Sequence, residues 1–201
     1  MSDDVKLIAD CLKGNTAAFG ELVSRHQDRL FNTVLRLLDQ PEDARDVVQE
    51  AFLHAYQSLR SFKGDARFFT WLYRIAVNAA ISHKRKKRLV LRLAPSADGE
   101  GGIDPLDPNE TNRPEHAIEM AEQEKRVHEA LARLSSEHRS VLVLKDMDGM
   151  KYEEMAEVLN VPIGTIRSRL HRARLELREI LLSDDEAKAD ETGIKRVKRI
   201  E

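Results

Sequence analysis

The residues best suited to chemistry lie between positions 151 and 182, which read KYEEMAEVLNVPIGTIRSRLHRARLELREILL. Arg167, His171, Arg174 and Arg178 recur along one flank of a helix, and Ser168 and Arg172 lie along another, with Thr165 near its start. Guanidinium and hydroxyl groups at that spacing suit nucleic acid, because they donate to base edges and phosphate oxygens. Ile166, Leu170, Ala173 and Leu177 fall at steps of four, three and four, which makes them a buried seam. A shorter helix over 152–159, with Met155, Ala156 and Leu159 on its apolar side, precedes a break at Asn160-Val161-Pro162. Asn tolerates a left-handed backbone, and Pro suits a helix opening. Two helices around a tight turn, the second rich in arginine, are how a DNA-reading helix-turn-helix looks in sequence. A helical hairpin with a solvated basic face is the plainer alternative. The density of arginine where a recognition helix needs it favours DNA.

Other chemistries find no residues to rest on. The chain has no Gly-rich phosphate loop, no HExxH and no Cys/His spacing for a metal. Its seven histidines are scattered, and the many carboxylates read as solvated helix faces. No catalytic residue, cofactor or metal site is expected. A second nucleic-acid signal sits in a helix over 66–87, which carries Phe68, Phe69, Trp71 and Tyr73 and ends in Lys84-Arg85-Lys86-Lys87-Arg88. Aromatics followed by a basic run can hold single-stranded nucleic acid. Equally, aromatics on a helix are commonly core, as expected for Phe69 together with Leu72 and Ile75, and a basic run is commonly a solvated end.

The elements that must position these residues are helical throughout. Charged residues make up 34% and aromatics 5% of the 201 residues, a mixture that suits helices rather than a sandwich or barrel. Helices are expected over 3–13, 16–38, 44–59 and 66–87, then over 114–134, 135–146, 152–159 and 163–182. Thr16 is the expected cap of the second, and Pro41-Glu42-Asp43 opens the third with acids where the helix dipole favours them. Between the two groups, residues 89–114 hold four prolines and several acids and read as a flexible linker. Residues 183–201 are charged, with little to bury, and read as a disordered tail. The fold class is therefore all-α, two small helical bundles joined by a flexible acidic linker.

A formal net charge of −2 excludes binding nucleic acid by bulk charge, so contact must come from local patches or with a partner's help. Cys11 is the only cysteine, which excludes an internal disulfide. The acidic start MSDDVKLIADCLKGN lacks a secretory signal, and no apolar run has the length of a membrane span. A cytoplasmic protein without membrane insertion is expected.

Two sets of motifs carry a family resemblance. Asp46-Val47-Val48-Gln49-Glu50-Ala51-Phe52, Phe62-Lys63-Gly64-Asp65, Thr70-Trp71-Leu72-Tyr73-Arg74-Ile75-Ala76 and Asn78 resemble region two of bacterial sigma factors of the extracytoplasmic-function (ECF) group. Tyr152-Glu153-Glu154-Met155-Ala156 and Pro162-Ile163-Gly164-Thr165-Ile166-Arg167-Ser168-Arg169-Leu170 resemble region four. Both sets in this order, around a short linker, are highly specific. The resemblance implies region two over 1–88 and region four over 115–182. It further implies that the chain binds core RNA polymerase and directs it to promoter DNA, both duplex and melted. Asp46, Gln49, Glu50 and Leu53 would be the polymerase-binding face, an acidic-polar surface for a basic partner. Arg60, Phe62, Lys63, Asn78, Lys84 and Arg85 would serve the minus-ten element, with Phe62 near a captured base. Thr165, Arg167, Ser168, His171, Arg172, Arg174 and Arg178 would serve the minus-thirty-five element, with Arg167, Ser168 and Arg172 nearest the bases and Arg174 and Arg178 on phosphates. Small sigma factors of this group commonly have an anti-sigma partner.

Two other readings stay open on the residues. One is an autonomous helix-turn-helix regulator with residues 1–88 as a dimerisation or sensing domain. The other is a helical adaptor that binds protein only, which would leave Phe62 and the arginine flank without a role.

Overall fold

The computed structural model describes residues 3–93 and 114–191. Among them the chain forms eight α-helices and no strand. Helices α1 (Asp3–Leu12), α2 (Thr16–Leu38), α3 (Pro41–Ser58) and α4 (Phe68–Leu93) make the first bundle. A short 3-10 turn, Leu59–Ser61, follows α3. Helices α5 (Pro114–Arg133), α6 (Ser136–Leu142), α7 (Tyr152–Leu159) and α8 (Ile163–Glu191) make the second, with α6 widening into a π turn over Val143–Met147.

Local chemistry sets most of the boundaries. The side chain of Asn15, rather than the expected Thr16, caps α2 by accepting from the Ala17 N–H at 3.1 Å. Helix α2 ends at Asp39 in the left-handed region (φ 73°), a conformation that Asp tolerates better than most residues. Pro41 then opens α3 with Glu42 and Asp43 in its first turn. Ser135 caps α6 by accepting from the His138 N–H at 3.2 Å. Asn160 ends α7 with φ 51°, as its residue type allows.

Each bundle buries an apolar seam. Leu22, Leu30, Val34, Val47, Ala51, Ala55, Leu72 and Val77 are closed off in the first, and Leu131, Leu144, Met155, Val158 and Ile166 in the second. Helix α7 buries Met155 and Val158, whereas Ala156 and Leu159, expected inward, are half-buried. Packing against α4 as well as α8 turns α7 by about one residue from that expectation.

The bundles are not separate. Helix α7 lies on α4, and the π turn lies on α2, so the buried apolar residues of both form one continuous core. Polar groups close the same interface. Arg139 of α6, fully buried, donates to the Leu37 carbonyl at 3.1 Å and to both oxygens of Asp39, one at 2.7 Å. Lys84 Nζ and His128 Nε2 each lie 3.5 Å from the Asp39 carboxylate. At the other end, Tyr73 is placed to donate to Thr33 (2.7 Å), which donates to the Asp148 carboxylate (2.8 Å), while Arg29 donates to the Asp148 carbonyl at 2.9 Å.

Three expected boundaries change. Helix α4 begins at Phe68 rather than near 66 and continues through Leu93, so residues 89–93, expected in the linker, are helical. Helix α5 starts at Pro114 as expected, a residue also counted as the last of the linker, while residues 94–113 lie outside the described ones. Helix α8 continues through Glu191, so residues 183–191 are helical rather than a disordered tail. Their acids have partners: Asp185 pairs with Arg126 at 2.5 Å and Asp184 with Arg133 at 2.7 Å, both on α5. The remainder of the expected tail, 192–201, lies outside the described residues.

Burial, reinforced by nearby Arg139 and Arg36 and opposed by Asp39 and Glu124, holds the His128 imidazole below its ordinary value of 6.5. A depressed folded value means that this stabilising contribution is complete above about pH 6.5 and is lost as the pH falls through the lower value. The thermal midpoint should therefore drop between about pH 7.5 and about pH 5.5. His128→Gln should flatten that part of the profile, and an unchanged slope by calorimetry would exclude His128 as its source.

Candidate nucleic-acid interface

The arginine-rich surface of α8 stands open. Ile166, Leu170 and Ala173 are buried and Leu177 is half-buried, so the predicted seam faces the bundle. Opposite it, Arg167, Ser168, His171, Arg172, Arg174 and Arg178 are exposed, and Thr165 is half-buried at the helix start. Two of these arginines are already oriented. The Arg167 guanidinium lies 5.6 Å from the centre of the Tyr152 ring, within cation–π reach. Arg174 makes a forked contact with Asp146, Nε at 3.0 Å and an Nη at 2.5 Å, which holds its pKa up. The turn before α8 is fixed from both sides: the Val161 N–H bonds the Ala156 carbonyl, and Pro162 supplies the first carbonyl of α8 to Ile166.

The second candidate surface is built on α4. Phe68, Leu72, Tyr73, Ala76, Val77 and Ala80 are buried, which leaves Arg74, Asn78, Ser82 and Arg85 along one exposed ridge at steps of four, four and three. Of the core residues expected here, Phe69 and Ile75 are only half-buried, and Phe69 carries the Arg29 guanidinium 4.2 Å above its ring. Lys84 leaves the exposed set. It is drawn into the interface beside Asp39 and Arg139, where burial lowers its pKa. Lys87 pairs with Asp43 at 2.6 Å.

The loop before α4 holds Phe62 half-buried, its ring 5.2 Å from Trp71 and edge-on to Phe68 at 5.9 Å. Arg60 and Lys63 are exposed at its edges, and Gly64 takes φ 78°, which only glycine enters without strain. This loop, with Trp71 and Arg74, forms one wall of an open groove of about 630 Å³; Ala156, Glu157 and Asn160 of the second bundle form the other. Sequence reasoning passed over Trp71 and Arg74 as site residues. The signal for Arg74 was its spacing of four from Asn78; Trp71 had none that distinguishes a groove wall from a core aromatic.

On α3, Asp46, Gln49, Glu50 and Leu53 are all exposed, while Val47, Val48, Ala51, Phe52 and Ala55 face inward. Leu53 is 56% exposed, an apolar residue on an otherwise polar face. The four residues thus lie on one surface remote from the bundle core.

The described residues are thus all-helical, with an arginine-lined helix-turn-helix in one bundle and an aromatic loop beside a polar ridge in the other. Comparison with known proteins narrows this. Residues 22–90 match the family Sigma-70 region 2, and residues 124–177 match Sigma-70, region 4. The chain is 36% identical to the RNA polymerase sigma-H factor of Pseudomonas aeruginosa over 173 residues, covering 85% of this chain and 90% of that protein. It is 34% identical to the ECF RNA polymerase sigma factor SigW of Bacillus subtilis, covering 88% and 95% respectively. It is 38% identical to the ECF RNA polymerase sigma-E factor of Escherichia coli, covering 85% and 90%. Among solved structures it resembles CnrH in complex with the cytosolic domain of CnrY (TM-score 0.64, 29% identity, covering 92% of this chain and 99% of that one). It also resembles the sigma factor RpoE in complex with the anti-sigma factor NepR from Bartonella quintana (TM-score 0.65, 26% identity, covering 83% and 98%). The chain belongs to the ECF group of RNA polymerase sigma factors.

The Arg174–Asp146 contact is exposed, so breaking it should change stability by less than about 1 kcal/mol. Asp146→Ala should nevertheless strengthen binding of the core-bound protein to promoter duplex at low salt. A guanidinium released to a phosphate steepens the salt dependence by about one ion. Binding isotherms at several salt concentrations test this, and an unchanged slope would place Arg174 away from DNA.

Proposed function

We propose that this sigma factor docks on core RNA polymerase through Asp46, Gln49, Glu50 and Leu53, and reads promoters with the two surfaces described above. The observation that carries the reading is the division of labour in exposure: the polar groups of the α3 face and Arg167, Ser168, His171 and Arg172 on α8 are open, with Thr165 half-buried beside them, while the seams behind them are closed. Arg167, Ser168 and Arg172, with Thr165 and His171, meet bases of the minus-thirty-five element. Arg174 and Arg178 meet phosphates. Region two extends over 1–88 and region four over 115–182, with residues 89–114 between them and 183–201 following. The protein acts in the cytoplasm by binding rather than by catalysis, and among the described residues no helix is long and apolar enough to cross a membrane. Since CnrH and RpoE are seen with CnrY and the anti-sigma factor NepR, an anti-sigma partner is part of the proposal.

At the minus-ten element, Arg60 and Lys63 flank a loop whose Phe62, with Trp71, offers an aromatic surface to an extruded base. Extrusion costs a few kcal/mol, which stacking of about 1–3 kcal/mol and edge contacts recover. The ridge from Arg74 through Asn78 to Arg85 then follows the phosphates of the opened strand, without Lys84, which is held beside Asp39. Run-off transcription with purified core polymerase and sequencing of the RNA starts tests the reading. Asp46→Ala with Gln49→Ala should reduce transcript and co-purification with core while helix content is unchanged. Core-independent operator binding would favour an autonomous regulator instead.

Phe62→Leu should leave closed-complex binding near normal and impair strand opening. Leucine keeps most of the packing against Phe68 and Trp71 but loses the ring. Permanganate reactivity of promoter thymines should fall on duplex templates and recover on pre-melted ones. Normal opening of duplex DNA by this variant would remove the loop from base capture.

A further inference from the structure

Beneath the aromatic loop lies a histidine that none of the surfaces described above uses. His26 of α2 is half-buried against the rings of Phe68 and Phe69, the first two residues of α4, with ring centres 5.6 and 5.5 Å away. Its Nε2 donates to the Asp4 carboxylate of α1 at 3.2 Å, since a carboxylate only accepts. Phe68, 3% exposed, is also the ring on which Phe62 stands edge-on at 5.9 Å. We propose that His26 is a positioning residue for strand opening: pinned by Asp4, its imidazole sets the first turn of α4 and so the pose in which Phe62 meets an extruded base. The proposal rests on the base-capture reading of Phe62 given above.

The chemistry of the position argues for direction rather than bulk. A side chain whose only task is to fill space behind two phenylalanines needs no polar atom, and an aliphatic one would avoid desolvating a ring nitrogen. An imidazole is flat, and the bond at Nε2 fixes where one corner of it lies. Its plane then limits how the Phe68 and Phe69 rings can tilt against it, here by 48° and 40°. The pin has a firm footing. Arg25 lies 3.5 Å from the other oxygen of Asp4 and is itself held by Glu21 at 2.6 Å, so α1 and α2 together fix the carboxylate.

What the pin orients is the aromatic surface offered to DNA. Phe62, Phe68 and Trp71 touch one another pairwise, with ring centres 5.2 to 5.9 Å apart, so a shift of Phe68 passes to both of the other rings. Phe62 itself lies in the loop before α4, its N–H bonded to the Leu59 carbonyl at 3.1 Å. Its side chain therefore takes its direction from its ring contacts, and the one that reaches back to α1 and α2 runs through Phe68 and His26.

The test uses the full chain with purified core polymerase and a promoter located by run-off transcription. His26→Leu keeps apolar bulk behind Phe68 but loses the flat ring and the bond to Asp4. Filter binding of the closed complex should match wild type. Permanganate reactivity of promoter thymines on duplex templates should fall about tenfold, the scale of one weakened base–aromatic stack, and recover on pre-melted templates. A general loosening of the bundle would add to the defect of Phe62→Leu, because independent effects combine. A positioning role would not: in the Phe62→Leu background, His26→Leu should cost nothing further. Normal opening by His26→Leu, or a full additional loss in the double variant, would overturn the proposal. If His26→Leu loses helix content, His26→Gln carries the same readouts, since its amide can still donate to Asp4 without supplying a ring. Normal opening by Phe62→Leu alone would instead sink the base-capture reading, and this proposal with it.

Discussion

A guanidinium cannot be left alone in a protein interior, and Arg139 is fully buried. Removing one partner of such a pair typically costs about 3–5 kcal/mol, because the other charge remains desolvated. Much of the chain's architecture answers to that constraint. The left-handed end of α2 places the Asp39 carboxylate within reach of Arg139, and Pro41 opens the next helix two residues on. Lys84 from α4 and His128 from α5 then share the same anion. Three helices, α4, α5 and α6, converge on one carboxylate at the end of α2, which joins the bundles at this side of their interface.

The same constraint separates the surfaces used for recognition from those used for packing. Charges drawn into the interface reach protein acceptors, Arg139 through both Nη atoms, leaving its Nε unpaired, and Lys84 through the Leu37 carbonyl and Asp39. The arginine flank of α8 and the α4 ridge remain in water, apart from Arg174 on Asp146 and Arg167 near Tyr152, while elsewhere on α8 Arg169 pairs with Glu137, Glu176 with His138, and Asp184 and Asp185 with α5. The aromatic loop is intermediate. Phe62 is supported by Phe68 and Trp71 yet faces an open groove, so its ring is ordered without being closed off. Ordering an aromatic in advance reduces the entropy lost when a base stacks on it.

Much of this was legible from residue order, because periodicity and caps are local. The eight helices, the arginine flank on α8, its seam at Ile166, Leu170 and Ala173, the turn at Asn160 and the exposed face of α3 follow from spacing and residue type alone. The class of the protein was legible through its resemblance to sigma factors, because both the region-two and the region-four motifs are contiguous runs. Contacts between residues distant in sequence were not legible. Asp184 and Asp185 read as tail acids until their partners on α5 were known, and a partner chosen across many intervening residues leaves no local period. Lys84 reads as one cation in a basic run, whereas the fold removes it from solvent. The packing of α7 on α4 turned its buried side from Ala156 and Leu159 to Val158, because two neighbours, not one, set the direction of burial. Sequence determined the helices and the chemistry on each face. Only tertiary structure decided which charges stay free, since that depends on where the fold carries their opposite numbers.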